Sequence, residues 1–228
     1  MSAWIAKLYD TFIVDDRYKL LIDGLKNTVI ITLGALLLGV LIGSAVAIIK
    51  YLAEGNRKLA PLKWLCDLYV TVIRGVPVVV LLLIFYFVIM TSADGIIVGI
   101  ITFGINSGAY MAEVVRSGIN AVDYGQLEAG RSLGFSRWQT MLLVILPQAI
   151  KNILPAIGNE MIALLKETAV AGYVAVTDLT RAGNLVRNNT HDAVNPLMVV
   201  AITYLIMVIG LTQLLNVFER KLRKNDKR

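Results

Sequence analysis

Carboxylates embedded in apolar sequence are the groups of this chain best placed to do chemistry. Glu160 and Glu167 lie seven residues apart in an otherwise apolar run, so on a helix they sit about 20° apart, on one face. Lys166 points elsewhere. A carboxylate at that depth is costly, so it must face protein or water. There it can accept a charge-assisted hydrogen bond from an ammonium or guanidinium group. The alternative is an interhelical hydrogen bond with no ligand. Glu113 is three residues from Arg116, the spacing of a helical ion pair, or else it lines a polar path. Asn106 and Ser107 offer hydrogen-bonding groups in mid-span, either to a neighbouring helix or to a solute. Other chemistries are excluded. One cysteine, Cys66, excludes an intramolecular disulfide framework and a multi-thiolate zinc site, and a single histidine, His191, argues against a His-based metal or triad site. No glycine precedes a lysine, so the phosphate-cradling GxxxxGK[ST] loop is absent. No catalytic residue, metal or bound cofactor is expected.

The elements that must position these groups are membrane spans. Apolar residues make up 57% of the 228 and charged residues 17%. Mean hydropathy is +0.71. A soluble globule has no interior for so much apolar side chain. The +6 charge would suggest nucleic acid in a soluble protein; here no nucleic-acid partner is expected. Charge-free runs cover 28–49, 75–93, 95–112 and 193–218, each near the ~20 residues that cross a bilayer. With the run that carries Glu160, five spans are expected, near 28–50, 75–93, 95–115, 151–171 and 194–216. Glu160 would then lie about 14 Å into its helix, close to the midplane. Gly39/Gly43, Gly95/Gly99 and Gly104/Gly108 form GxxxG pairs suited to close helix packing.

Lysine and arginine placement gives the orientation. With the N-terminus outside, six basic residues fall outside and fourteen inside. An outer N-terminal segment, 1–23, precedes the spans. It has no signal-peptide apolar core. A basic tail, 217–228, would anchor to anionic lipid. The longest inner segment reads as a helix over 126–133, a Gly134 turn in positive φ, and a second short helix capped by Ser136 and running to Leu143. Pro147 is expected to end or kink it. A surface element of this kind suits docking to a partner.

Here Glu128-Ala129-Gly130, Gly134, and Leu146-Pro147 fall in register with a known pattern. The chain resembles the permeases of ABC importers, whose EAA loop reads EAA, three residues, Gly, nine residues, I-x-L-P. Gly130 replaces the second Ala and Val144 the Ile. Arg74-Gly-Val-Pro77, Ser107-Gly-Ala-Tyr110-Met-Ala-Glu113-Val-Val-Arg116, Gly125-Gln126, Leu146-Pro-Gln-Ala149 and Leu165-Lys-Glu-Thr168 resemble its polar amino acid branch. The resemblance covers about 24–216. It implies an all-α integral membrane protein, a type I importer permease with five transmembrane helices and a cytoplasmic coupling loop over 117–147.

The resemblance further implies a translocation subunit, not an enzyme, in the bacterial cytoplasmic (inner) membrane, with its C-terminus cytoplasmic. A polar L-amino acid is the implied substrate. ATP would be bound by a partner ABC ATPase dimer. The other partners would be a second copy or a similar permease, an extracytoplasmic amino-acid-binding protein and the lipid bilayer. The coupling residues would be Gly125, Gln126, Glu128, Ala129, Gly130, Gly134, Leu146 and Pro147. The substrate path would include Asn106, Ser107, Glu113 and Glu160. A channel, an ion-coupled secondary transporter or a membrane scaffold are the competing functions. A channel or secondary transporter has no use for a long inner docking loop, and Glu160 and Asn106 in mid-span argue against a scaffold.

Overall fold

The computed structural model describes residues 2–54 and 56–224; the last four residues of the basic tail, 225–228, lie outside the described residues. All regular elements among them are helical. They are α1 (Ser2–Phe12), α2 (Tyr18–Ala53), α3 (Ala60–Gly75), α4 (Val78–Ile84), α5 (Gly95–Asn120), α6 (Tyr124–Ser132), α7 (Arg137–Thr140), α8 (Leu146–Glu167), α9 (Leu179–Thr190) and α10 (Asn195–Lys224). Four stretches are long and apolar enough to cross a membrane: Val14–Ala53, Gly95–Asn120, Arg137–Val174 and Asn195–Lys221. A broken pair, Arg57–Gly75 with Val78–Ile89, supplies a fifth if counted as one crossing.

That pair corrects the expected 75–93 span. Proline forces the residue before it out of the helical region, and Val76 is extended at φ −103°, ψ 131°. Pro77 caps the new helix. Only Val78–Ile89 is then helical, closing with a wide π turn at Phe85–Ile89. Twelve residues give about 18 Å, short of the ~30 Å core.

Of the expected end or kink at Pro147, the end is corrected. The helix begun by α7 continues through Pro147 into α8. A π turn at Met141–Ile145 makes this possible, with the Leu146 N–H donating to the Met141 carbonyl five residues back. The widened turn makes room for the proline ring and puts Pro147 in the first turn of α8, where its missing N–H matters little. The Gln148 side chain donates to the Val144 carbonyl at 2.8 Å.

The chain divides into two compact units. The first contains Met1–Leu36, Pro77–Gly104 and Met161–Gln213. Its core gathers Ile31, Ala35, Leu82, Val98, Phe103, Leu164, Ala171 and Val174. Gly24 lets α2 meet the start of α9, where a Cβ would lie 2.7 Å from the Asp178 carbonyl oxygen. Asn27 Nδ2 donates to the Thr177 carbonyl, and the Leu179 N–H donates to Thr28 Oγ1. Asp178, fully buried, caps α9 by accepting from the Thr180 and Arg181 N–H groups. Burial raises its carboxyl above the usual range despite those donors.

Asp192, 4% exposed, ties α1 to the start of α10. It accepts from Thr11 Oγ1, Asn195 Nδ2 and the Val194 N–H. Burial pushes its carboxyl up, and these hydrogen bonds more than offset it, leaving it below the usual range.

The second unit contains Leu37–Val76, Ile105–Glu160 and Leu214–Arg228. Two small cores hold it, Val46, Cys66, Val70 and Ala112 in one and Ala47, Val115, Ala149 and Ile153 in the other. The Gly39/Gly43 pair lies against α5, so the GxxxG spacing marks a real close approach: a Cβ on Gly43 would collide with Met111.

Candidate functional site

The functional residues suggested by the sequence fall into three groups in the second unit. The first is the α6–α7 element, expected from the sequence to dock a partner. Asp123 opens α6 by accepting from the Gly125 N–H at 2.7 Å. Gly134 closes it at φ +89°, a region that L side chains avoid. The Phe135 N–H returns to the Gly130 carbonyl and the Gly134 N–H to that of Arg131, the two bonds of a Schellman cap. Ser136 then starts α7 in a reciprocal capping box with Gln139. Gly125, Gln126, Glu128, Ala129 and Gly134 are exposed on this element, as is Pro147 beyond it, and Leu146 is half-buried. Gly130 is buried, and a Cβ there would sit 2.5 Å from Thr140 Cγ2. This close approach accounts for glycine where the family pattern has alanine. Tyr124 and Leu133, at the two ends of α6, are 70% and 77% exposed, apolar surface that spacing alone did not single out.

The second group is a polar pair joining two candidate spans. Ser107 Oγ on α5 donates to Glu160 Oε1 on α8 at 2.9 Å. Ser107 is fully buried and Asn106 4% exposed. Glu160 is half-buried. α2 presses on the other side of the serine, where a Cβ on Gly39 would lie 2.7 Å from Ser107 Oγ.

Glu113 lies six residues from Ser107, about 9 Å along α5, and belongs to a third group. Arg116 donates to its Oε2 from Nη2 at 2.8 Å and Nε at 3.1 Å. Lys50 Nζ of α2 lies 3.3 Å from its Oε1 and 2.8 Å from Asp67 Oδ1 of α3. Both Glu113 oxygens are thus engaged. The i,i+3 spacing indicated Arg116; Lys50 and Asp67 come from other helices and gave no sequence signal. These four line a cavity of about 900 Å³ together with Tyr51, Glu54, Glu128, Arg131 and Arg137. The Arg74 motif and the Ser107–Arg116 motif also meet, with the Arg74 guanidinium 5.0 Å from the Tyr110 ring centroid. No cluster of three or more His, Cys, Asp or Glu among the described residues could hold a metal.

Known proteins share this architecture. The family described as binding-protein-dependent transport system inner membrane component matches residues 35–224. The probable glutamine ABC transporter permease protein GlnM of Bacillus subtilis (strain 168) is 35% identical over 216 residues, covering 93% of this chain and 98% of that relative. The arginine transport system permease protein ArtQ of the same organism is 34% identical over 210 residues, covering 90% and 94%. A crystal structure of an amino acid ABC transporter with histidines superposes with a TM-score of 0.84 at 40% identity, covering 92% and 98%. Members of this family are multi-pass inner-membrane subunits that work with an ATPase and a substrate-binding protein. With an all-helical fold, four or five spans and a match over most of its length, the chain belongs to the binding-protein-dependent transport system inner membrane components, the non-catalytic permease subunits of ABC transporters whose ATPase is a separate chain.

Proposed function

We propose that this permease imports a polar L-amino acid and that Glu160, held by Ser107, contacts the substrate's positive group. The observation that carries this is a half-buried carboxylate within a candidate span, one of whose oxygens accepts from the buried Ser107 hydroxyl. The names of the similar proteins, which specify glutamine, arginine and histidines, support a polar amino acid. Asn106 adds hydrogen-bonding capacity beside Ser107. Glu113 acts through the Lys50–Arg116 network rather than as a free carboxylate on the path.

The α6–α7 element, with Glu128 and Gly134, docks one ATPase of a pair. A second copy or a similar permease completes the path, and an extracytoplasmic amino-acid-binding protein delivers the substrate. The chain needs no cofactor of its own. The fourteen-to-six distribution of basic residues supports an outer N-terminus and a cytoplasmic C-terminus. A cysteine at Ser2 should therefore react with impermeant reagents from outside, and one at Asp226 should not.

Glu160→Gln tests the site. The amide oxygen still accepts from Ser107, and the charge is lost. Hydrogen bonds to charged groups are worth about 1.5–3 kcal/mol, so reconstituted uptake should fall about tenfold or more. The loss should be largest for a cationic amino acid, with the ATPase still bound. Unchanged uptake by a folded variant would remove Glu160 from the path.

A further inference from the structure

The docking element is attached to the spans at a place its covalent connections do not supply. Arg137, the first residue of α7, reaches the C-terminal end of α2. Its Nη1 donates to the Glu54 carbonyl at 3.2 Å and its Nη2 to Glu54 Oε2 at 3.3 Å. Its guanidinium lies 4.9 Å from the Tyr51 ring centroid. Three contacts on one planar cation fix an orientation as well as a distance. α6 in turn rests on α7, where the missing Cβ of Gly130 admits Thr140. One turn earlier on α2, Lys50 binds Asp67 of α3 and Glu113 of α5.

We propose that Arg137 is a positioning residue that ties the ATPase-docking element to the end of α2, from which Lys50 carries the displacement into α3 and α5. The proposal rests on the docking role assigned to α6–α7 above. Through this tie a shift of the loop moves the ends of three further helices, besides α8, which is continuous with α7.

The tie is too exposed to hold the fold: the Arg137 and Glu54 side chains are 44% and 59% exposed, and exposed pairs add little stability. Arg137→Gln and Glu54→Gln should therefore insert and melt like the parent. Their effect belongs in the coupling between two events, where interactions of this size matter.

The test uses the complete transporter, with ATPase and binding protein, in proteoliposomes. ATP hydrolysis and amino acid uptake are measured together. Arg137→Gln should lower uptake per ATP about 5- to 10-fold while the ATPase still co-purifies. Glu54→Gln should lower it less, because the carbonyl and ring contacts remain. The double variant should be no worse than Arg137→Gln alone, the non-additivity expected of one shared contact. Unchanged uptake per ATP in Arg137→Gln, or fully additive losses, would overturn the tie. So would loss of the ATPase, which would make Arg137 part of the docking surface. If the parent complex itself hydrolyses ATP without uptake, the importer reading fails, and the tie with it.

Discussion

Replacing Gly130 by alanine sets two known effects against each other. Inside α6 alanine should favour the helix by about 1 kcal/mol over glycine. Its methyl, however, would lie 2.5 Å from Thr140 Cγ2, 2.9 Å from Oγ1 and 3.2 Å from Cβ. All three atoms belong to one fully buried side chain, whose hydroxyl donates to the Ser136 carbonyl at 3.0 Å. Thr140 therefore cannot turn away without losing that bond, and overpacking of this kind costs about 1–3 kcal/mol. The net effect is destabilisation by up to about 2 kcal/mol, confined to the contact of α6 with α7. Thr140→Ser removes Cγ2 and keeps the hydroxyl. Combined with Gly130→Ala it relieves the closest of the three contacts and should recover part of the lost stability and ATPase retention, a coupling of about 1 kcal/mol. The assay is the apparent melting temperature of the purified complex, with the ATPase fraction retained after washing. A single Gly130→Ala variant that melts at or above the parent and keeps its ATPase would refute the steric reasoning.

Two further outcomes are expected. Gly134→Ala has open space around the new methyl but a φ of +89°, so it should weaken the Schellman cap by about 1 kcal/mol or more, read as reduced ATPase co-purification at normal expression. Asp192 has a depressed pKa, so its stabilisation is present above its ordinary value of 3.8 and is lost as pH falls through the lower, folded value. Asp192→Asn should melt earlier at neutral pH and lack that acid-side loss; identical melting profiles from pH 2.5 to 7 would contradict it.

What the sequence made legible was local. Gly134 and Ser136 announced a cap and a restart because a positive-φ residue and an N-cap hydroxyl have few other uses, and the Schellman bonds and capping box are there. Glu113–Arg116 was readable for the same reason, both partners lying on one helix. Lys50 and Asp67 were not, since their approach depends on how α2, α3 and α5 pack. The 75–93 run misled through its apolar length: Val76–Pro77 carried the correct signal, and it outweighed hydropathy. Pro147 misled in the opposite sense. A proline ends a helix only if the turn before it keeps α register, and the π turn at Met141–Ile145 escapes that condition. The depth of Glu160 was reckoned from a span beginning at Lys151, whereas the helix begins at Arg137; its pairing with Ser107 is a tertiary fact.

Gly39, Ser107 and Glu160 make a stack across α2, α5 and α8, with the serine hydroxyl squeezed between a bare backbone and a carboxylate. The stack restricts the order in which a lineage can change these positions. A side chain at 39 is admissible only once position 107 has lost both its hydroxyl and its Cβ, because the new Cβ would lie 2.7 Å from the one and 2.8 Å from the other. Shrinking 107 to alanine first strips the acid of its donor within the apolar span. A route to a different binding preference must therefore begin at 160, by neutralising or removing the carboxylate, before 107 and then 39 are released to vary.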